Sequence, residues 1–170
     1  MAASNAEWLR ERSMKIREVG TANISSASPP IREWSNDMGL SMRAGRTAGP
    51  HPEDPNPQWS YSGFGIFRRA LAEHIGIDLT QMQNFGGTTN WGTVTSPLRH
   101  LLEQADDSGE LTARQARELA PALREAVTAL AELDTDGFLW SDASSNGRAS
   151  EALVALLDRC AAEDLPVYFR

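Results

Sequence analysis

The stretch 98–127 constrains the fold more than any other part of the chain. It follows Ser96-Pro97, a typical helix start, and its apolar spacing predicts a helix over 98–106. An acidic turn comes next, and Thr112 and Gln115 then have the spacing of a capping box that begins a second helix. The pattern therefore predicts a helix-turn-helix hairpin with its acidic residues gathered at one corner.

Apolar residues recur at helical spacing in two further segments. One helix is expected from Ser62 to a stop at Gly76, and another over 150–163. The second helix of the hairpin is expected to reach about residue 130, with a kink or a division at Pro121. In the first of these segments the solvent-facing positions are predicted to be Arg68, Arg69 and Glu73.

Two short segments far apart in the sequence have the composition of strands. They are Gly39-Leu40-Ser41-Met42 and Pro166-Val167-Tyr168-Phe169, which can pair across the helical body. Together with the helices they predict an α+β fold that is predominantly α-helical. We expect four to five core helices and short terminal strands.

The residues before Met38 have a different composition from the rest of the chain. A short helix is expected before Gly20, and residues 21–30 resemble a linker. Residues 1–37 are therefore predicted to be an N-terminal extension and linker, and residues 38–170 a single globular domain. Four prolines and two glycines over 45–57 indicate an irregular loop.

The net charge of −7 is concentrated in the C-terminal part of the chain. Residues 100–170 carry six basic and fourteen acidic side chains, a balance of −8. No basic patch is present to neutralise phosphates, so neither a nucleic acid nor a membrane is expected as a partner. Arginines interrupt the acidic residues, which favours solvated helix faces over a mimic of DNA.

Composition also bears on the compartment and the source. The single cysteine, Cys160, falls on the apolar stripe of the last predicted helix, which indicates a buried thiol in a reducing compartment. No apolar run approaches membrane-spanning length, and the first residues carry charges where a signal peptide needs an apolar stretch. A soluble, cytoplasmic protein is therefore expected. Fifteen of the sixteen basic residues are arginine, which indicates a high-GC genome.

The acidic turn is the clearest candidate for a metal site. If Gly109 is the sixth residue of a calcium-binding loop over 104–115, oxygen-bearing side chains occupy the alternate ligand positions. These positions include Asp106, Ser108 and Glu110. Gln115 stands where such a loop needs a glutamate, so the site would be weak, and a helix-connecting turn is the favoured interpretation. A second acidic turn over 132–137 has the same two interpretations, and no cofactor is expected.

No catalytic motif occurs in the sequence. The three histidines are far apart, and Gly86-Gly87 lacks the lysine and hydroxyl residue of a phosphate-binding loop. A pocket joining Trp91, His100 and Asp106 is the arrangement that would suit a small-molecule-binding or hydrolytic enzyme. An enzyme therefore remains the less favoured alternative.

Four short motifs occur in order between residues 38 and 170. They are Met38-Gly-Leu, the aromatic run over 59–69, the turn from Leu101 to Glu110, and the closing Leu165-Pro-Val-Tyr-Phe169. In this order they resemble an uncharacterised family of small proteins from high-GC bacteria and their phages. The resemblance implies a phage or mobile-element setting but no activity. The chain departs from the family at the turn, where Gln104 replaces a histidine and Ser108 an aspartate.

The five tryptophans are the main candidates for a partner-binding surface. They lie in or near predicted loops, and tryptophan is enriched at the energetic centres of protein interfaces. The selected candidates are Trp59, Trp91 and Trp140. The sequence thus predicts a small acidic accessory protein that binds another protein, with a calcium module or an enzyme as alternatives.

Overall fold

The structure is a computed structural model that describes residues 39–45, 55–105, 108–134, 136, 139–140 and 144–170. Residues 39–170 cluster into one unit. The extension and linker predicted over 1–37 lie outside the described residues, as does His51 with most of the predicted irregular loop.

The described residues hold four strands and four α-helices. The strands are β1 (Gly39–Ala44), β2 (Gln58–Ser60), β3 (Gly109–Leu111) and β4 (Val167–Phe169). The helices are α1 (Tyr61–His74), α2 (Arg99–Leu102), α3 (Ala113–Leu133) and α4 (Ser145–Glu163). Two single 3-10 turns, Leu79–Gln81 and Trp91–Thr93, lie between α1 and α2. The predicted α+β class is confirmed.

The strands form one antiparallel sheet in the order β2-β1-β4-β3. Met42 of β1 lies opposite Phe169 of β4, so the predicted pairing of the two end strands is confirmed. Leu40 and Met42 are fully buried while Ser41 between them is half-buried, the alternation of a sheet with one face on the core. The sequence did not predict β2 or β3, because each has only three residues and no β-branched side chain.

Local capping sets both ends of α1. The Ser60 hydroxyl accepts a hydrogen bond from the backbone N–H of Gly63 at 3.1 Å and caps the first turn. After the last turn, Gly76 has a φ of 75°, a left-handed conformation that glycine adopts without strain. The start near Ser62 and the stop at Gly76 are therefore confirmed within one residue.

A buried arginine in α1 contacts the segment that departs most from the predicted helices. Arg68, predicted to face solvent, is only 2% exposed, and its Nη2 donates hydrogen bonds to the carbonyls of Leu102 and Gln104. The helix predicted over 98–106 is wrong in length, because α2 is a single turn that ends at Leu102. The carbonyls at the end of this turn and just after it face the buried guanidinium.

A strand stands where the sequence predicts only a turn. Glu110 of β3 lies opposite Tyr168 of β4, and the neighbouring Leu111 is fully buried. The sheet and core contacts of these residues fix an extended backbone just before Thr112. The predicted helix-turn-helix hairpin is therefore wrong: a short helix, an edge strand and a long helix follow one another.

The long helix α3 begins and continues for different reasons. Thr112 Oγ1 accepts from the Gln115 N–H, and Gln115 Oε1 accepts from the Thr112 N–H, so the predicted capping box is confirmed. The helix runs unbroken through Pro121, so a division there is wrong, and a kink stays a prediction. An interior proline costs about 3 kcal/mol, which burial of Leu119 and Leu123, at about 1.5–3 kcal/mol each, can offset.

The last helix packs against α3 and begins earlier than expected. Ser144 Oγ accepts from the Gly147 N–H at 2.9 Å, which starts α4 at Ser145 instead of Ser150. Its inner face includes Cys160, which is fully buried as predicted.

Candidate functional site

The three tryptophans selected as partner contacts lie in the interior. Trp59, Trp91 and Trp140 are 4, 6 and 2% exposed. The rings of Trp59 and Trp140 lie 5.2 and 5.7 Å from the ring of Phe67 and form an aromatic cluster on α1. A position near a loop does not distinguish an exposed indole from one that is folded inward. These rings therefore contribute to packing and present almost no surface to a partner.

The described part of the acidic corner does not assemble a metal site. Glu110 lies in β3 and Ser108 is exposed just before it, while Asp106 is outside the described residues. Thr112 and Gln115, which fill later positions of the proposed calcium loop, bond to each other in the helix cap. Within the described ranges, no three His, Cys, Asp or Glu side chains come together as metal ligands.

One carboxylate closes the second acidic turn. Asp134 Oδ2 accepts the backbone N–H groups of Leu139 and Trp140, both at 2.7 Å. Glu132 and Asp136 are exposed, and Gly137 lies outside the described residues. The Asp134 carboxylate thus fixes the backbone that carries Trp140 into the core.

His100 belongs to a polar cluster between α2 and α3. Its Nε2 lies 3.3 Å from Glu118 Oε2, and its Nδ1 lies 3.3 Å from Gln115 Nε2 and 3.8 Å from Glu103 Oε1. Hydrogen bonds from Arg114 and His100 lower the pKa of the Glu118 carboxyl below its usual value. His100, 8% exposed, therefore connects two helices through polar contacts.

Residues 79–98, termed the neutral loop, are the longest uncharged stretch in the sequence. Asp78 and Arg99 bound these twenty positions, although 23% of the whole chain is charged and four or five charges would be expected here. Its exposed side chains are mainly threonine, glutamine and asparagine. The surface of this loop is therefore polar without being charged.

Side-chain caps shape the turns of the neutral loop. Asp78 Oδ1 accepts both the N–H and the hydroxyl of Thr80, at 2.9 and 2.7 Å. Asn90 Oδ1 accepts the Gly92 N–H at 2.6 Å and caps the second 3-10 turn in the same way. Each turn is thus held by a short side chain that imitates a backbone acceptor.

Main-chain bonds hold the two sides of the loop together. The Gln83 N–H donates to the Thr89 carbonyl, and the Thr89 N–H donates to the Gln81 carbonyl, both at 2.9 Å. The backbones approach so closely that a Cβ atom at Gly87 would lie 2.0 Å from the carbonyl carbon of Gln81. Only glycine fits at this position, so the close backbone approach explains why the second residue of the Gly86-Gly87 pair is a glycine.

A chain of ring contacts attaches the loop to the core. Trp91 Nε1 donates to the Gln83 carbonyl at 3.0 Å, and its indole meets the Phe85 ring edge-on at 6.0 Å. The Phe85 ring in turn lies under the Arg68 guanidinium, whose Cζ is 4.5 Å from the ring centre. Trp91 is therefore an anchor of the loop, and its described contacts do not join it to His100 in the predicted pocket.

A groove of about 360 Å³ lies between the end of α1 and the neutral loop. This volume is within the range of small-ligand sites, about 300–1,000 Å³. Seven of its ten lining residues belong to the neutral loop, and Asp78 is the only charged one. Hydrogen bonds from Thr80, with a smaller contribution from the charge of Arg69, lower the pKa of Asp78, so the groove contains one ionised carboxylate at neutral pH.

The outer faces of α3 and α4 carry charges that pair with each other. Arg117 bonds to Asp164 at 2.8 Å and Arg124 to Asp158 at 2.5 Å, both across the two helices. This pairing supports the interpretation of the C-terminal acids as solvated helix faces. In the part of the chain that the structure describes, no helix is long and apolar enough to cross a membrane.

Comparison with known proteins gives no relative for this chain. It matches no protein-family model, no curated protein and no solved structure. The family resemblance drawn from the short motifs stays a prediction.

Proposed function

We propose that the protein is a binding module that contacts another protein through the neutral loop and the adjoining groove. The observation that carries the proposal is that the longest uncharged stretch of the sequence also forms most of the groove wall. A charged group loses hydration when a partner covers it, and the centres of protein interfaces are accordingly depleted of charge. The neutral loop has that property in a chain that otherwise carries many charges.

The composition of the loop is also that of a recognition surface. Short polar side chains and glycine supply adaptable hydrogen bonds in antibody binding loops. Threonine, asparagine and glutamine fill the same role on the exposed side of the neutral loop. One of the three tryptophans expected at the interface, Trp91, is buried and holds the backbone of this loop through a hydrogen bond to Gln83.

The internal bonds of the loop favour binding as well. The caps at Asp78 and Asn90 and the main-chain bonds across the loop hold it in one conformation. A surface ordered in advance loses less conformational entropy when it meets a partner. The outer faces of α3 and α4, by contrast, would have to break ion pairs or bury them.

The test places a new charge on the proposed surface. Thr88→Arg and Thr95→Arg change exposed residues of the neutral loop. Thr128→Arg, at an exposed position of α3, is the matched control. Tagged full-length variants are expressed in the native host, cross-linked and purified, and their bound proteins are quantified by mass spectrometry. Melting temperatures are measured in parallel so that misfolded variants are recognised.

We expect a partner that wild type and Thr128→Arg retain and that both loop variants lose. Loss with Thr128→Arg and retention with the loop variants would place the interface on the helices and contradict the proposal. Recovery of no protein above an untagged control would contradict it as well.

A further inference from the structure

We propose that the groove beside the neutral loop receives a lysine side chain of the partner, with its ammonium group against Asp78. This inference rests on the proposed function and names the chemistry that the groove recognises. Three properties of the groove lead to it: an apolar wall, a single carboxylate with one oxygen atom left for a ligand, and a lining without any basic residue.

The apolar wall fits the methylene stem of a lysine. Ile75 and Ile77 extend from the end of α1, and Met82 and Val94 come from the neutral loop. The two isoleucines are only half-buried, so they present apolar surface to the groove. Lysine packs its methylene groups along such surface while its charged end stays in a polar setting.

The carboxylate selects an ammonium group over a guanidinium group. Both hydrogen bonds from Thr80 go to Asp78 Oδ1, and among the described residues Oδ2 accepts none. Arginine binds carboxylates best through two parallel bonds, one to each oxygen, whereas an ammonium group acts as a point charge. With Oδ1 already occupied by two donors, the geometry at Asp78 suits the single contact of a lysine.

The remaining lining is compatible with a cation. An ammonium group has three N–H donors, and three of the residues that line the same groove, Gln81, Thr93 and Thr95, carry a side-chain oxygen. None of the ten lining residues is basic. Arg69 lies outside the lining but close enough to act on Asp78, so we expect weak binding of an isolated lysine.

The test uses small probes on the full-length protein. The ¹⁵N-labelled protein is titrated with Nα-acetyl-lysine methylamide, with the norleucine analogue that keeps the stem without the charge, and with the arginine analogue. Binding is followed by amide shifts of residues 75–82 and 93–96. Asp78→Asn removes the charge and keeps the cap, because asparagine caps as well as aspartate. Glu151→Gln, exposed on α4, is the control for net charge.

The expected result is binding of the lysine probe about fivefold tighter than that of the norleucine probe, the upper end for an exposed ion pair. Asp78→Asn should remove this advantage, and Glu151→Gln should keep it. The arginine probe should bind more weakly than lysine. The inference would be overturned by equal binding of the lysine and norleucine probes, by tighter binding of the arginine probe, or by an Asp78→Asn protein that keeps the lysine advantage. It would also be overturned if the lysine probe gave no saturable shift up to about 50 mM, a concentration well beyond millimolar affinity.

The inference and the proposed function fail in different ways. A partner that requires Thr88 and Thr95 but binds Asp78→Asn as well as wild type overturns the lysine site and leaves the binding module intact. A lysine probe that binds through Asp78, together with no captured partner, overturns the binding module and leaves a site for an alkylammonium group.

Discussion

Gly87 is the position at which one added methyl group should destabilise the neutral loop most. In Gly87→Ala the new Cβ would lie 2.0 Å from the Gln81 carbonyl carbon, where real contacts of this kind do not fall below 3.0 Å. The two backbones must therefore separate by at least about 1 Å. That movement cannot be absorbed by a side chain, because the atoms in the way belong to the main chain.

The magnitude follows from the bonds that such a separation breaks. The Gln83–Thr89 and Thr89–Gln81 main-chain bonds span the gap, and the Gln83 carbonyl also holds the Trp91 indole. Each of these three hydrogen bonds contributes about 0.5–1.5 kcal/mol net. We therefore expect Gly87→Ala to lower the free energy of unfolding by about 1.5–4.5 kcal/mol.

Urea unfolding followed by tryptophan fluorescence measures the change, and Gly65→Ala is the control. Gly65 lies on the exposed side of α1, where an added Cβ would meet nothing within 4 Å. That substitution should stabilise the protein by about 0.5–1 kcal/mol, because alanine favours the helix. A Gly87→Ala protein as stable as wild type, in the same series in which Gly65→Ala gains stability, would refute the close backbone approach.

Three further predictions concern the helical half of the molecule. Pro121→Ala should raise the free energy of unfolding by about 1–3 kcal/mol in the urea assay, because Pro121 is exposed and alanine restores a backbone donor inside α3. A lower free energy of unfolding would show that the proline ring itself makes stabilising contacts. Burial raises the pKa of the Cys160 thiol to about 11, so iodoacetamide at pH 8 should spare the native protein and label the unfolded one; labelling at equal rates would contradict the burial. The unfolded chain releases the thiol proton near its ordinary pKa of 9 while the native state keeps it, so stability should fall from about pH 9 to pH 11, and less in Cys160→Ala.

The parts of the fold that the sequence predicts are those set by neighbouring residues. The capping box at Thr112, the glycine stop at Gly76 and the apolar stripes of α1, α3 and α4 depend on spacings of a few positions. The burial of Arg68 depends instead on a carbonyl thirty-four positions away, that of Leu102 at the end of α2. The apolar periodicity of a helix assigns a lone arginine to the solvent face, because the local sequence contains no information about a distant carbonyl or about an aromatic ring that covers the guanidinium.

The candidate site likewise combines a feature that the local sequence shows with features that depend on tertiary contacts. The absence of charge over 79–98 can be read directly from the sequence, although no motif or apolar spacing draws attention to it. The groove forms only where the end of α1 meets that segment, and the role proposed for Asp78 depends on the orientation of its carboxylate. The inward position of the tryptophans is also a tertiary property, since the same residue type suits an interface or a core.

The position of β4 within the sheet has a consequence for how the molecule is made. Met42 and Phe169 are 127 positions apart, yet they pair in the middle of the sheet. Until β4 arrives, β3 has no neighbouring strand in the described fold, and β1 has only the three residues of β2. Contacts of such high sequence separation carry the loop-closure entropy of nearly the whole unit and slow the folding of a domain. Of the described elements, the sheet is therefore the last that can be completed during synthesis, and three residues, Val167, Tyr168 and Phe169, complete it.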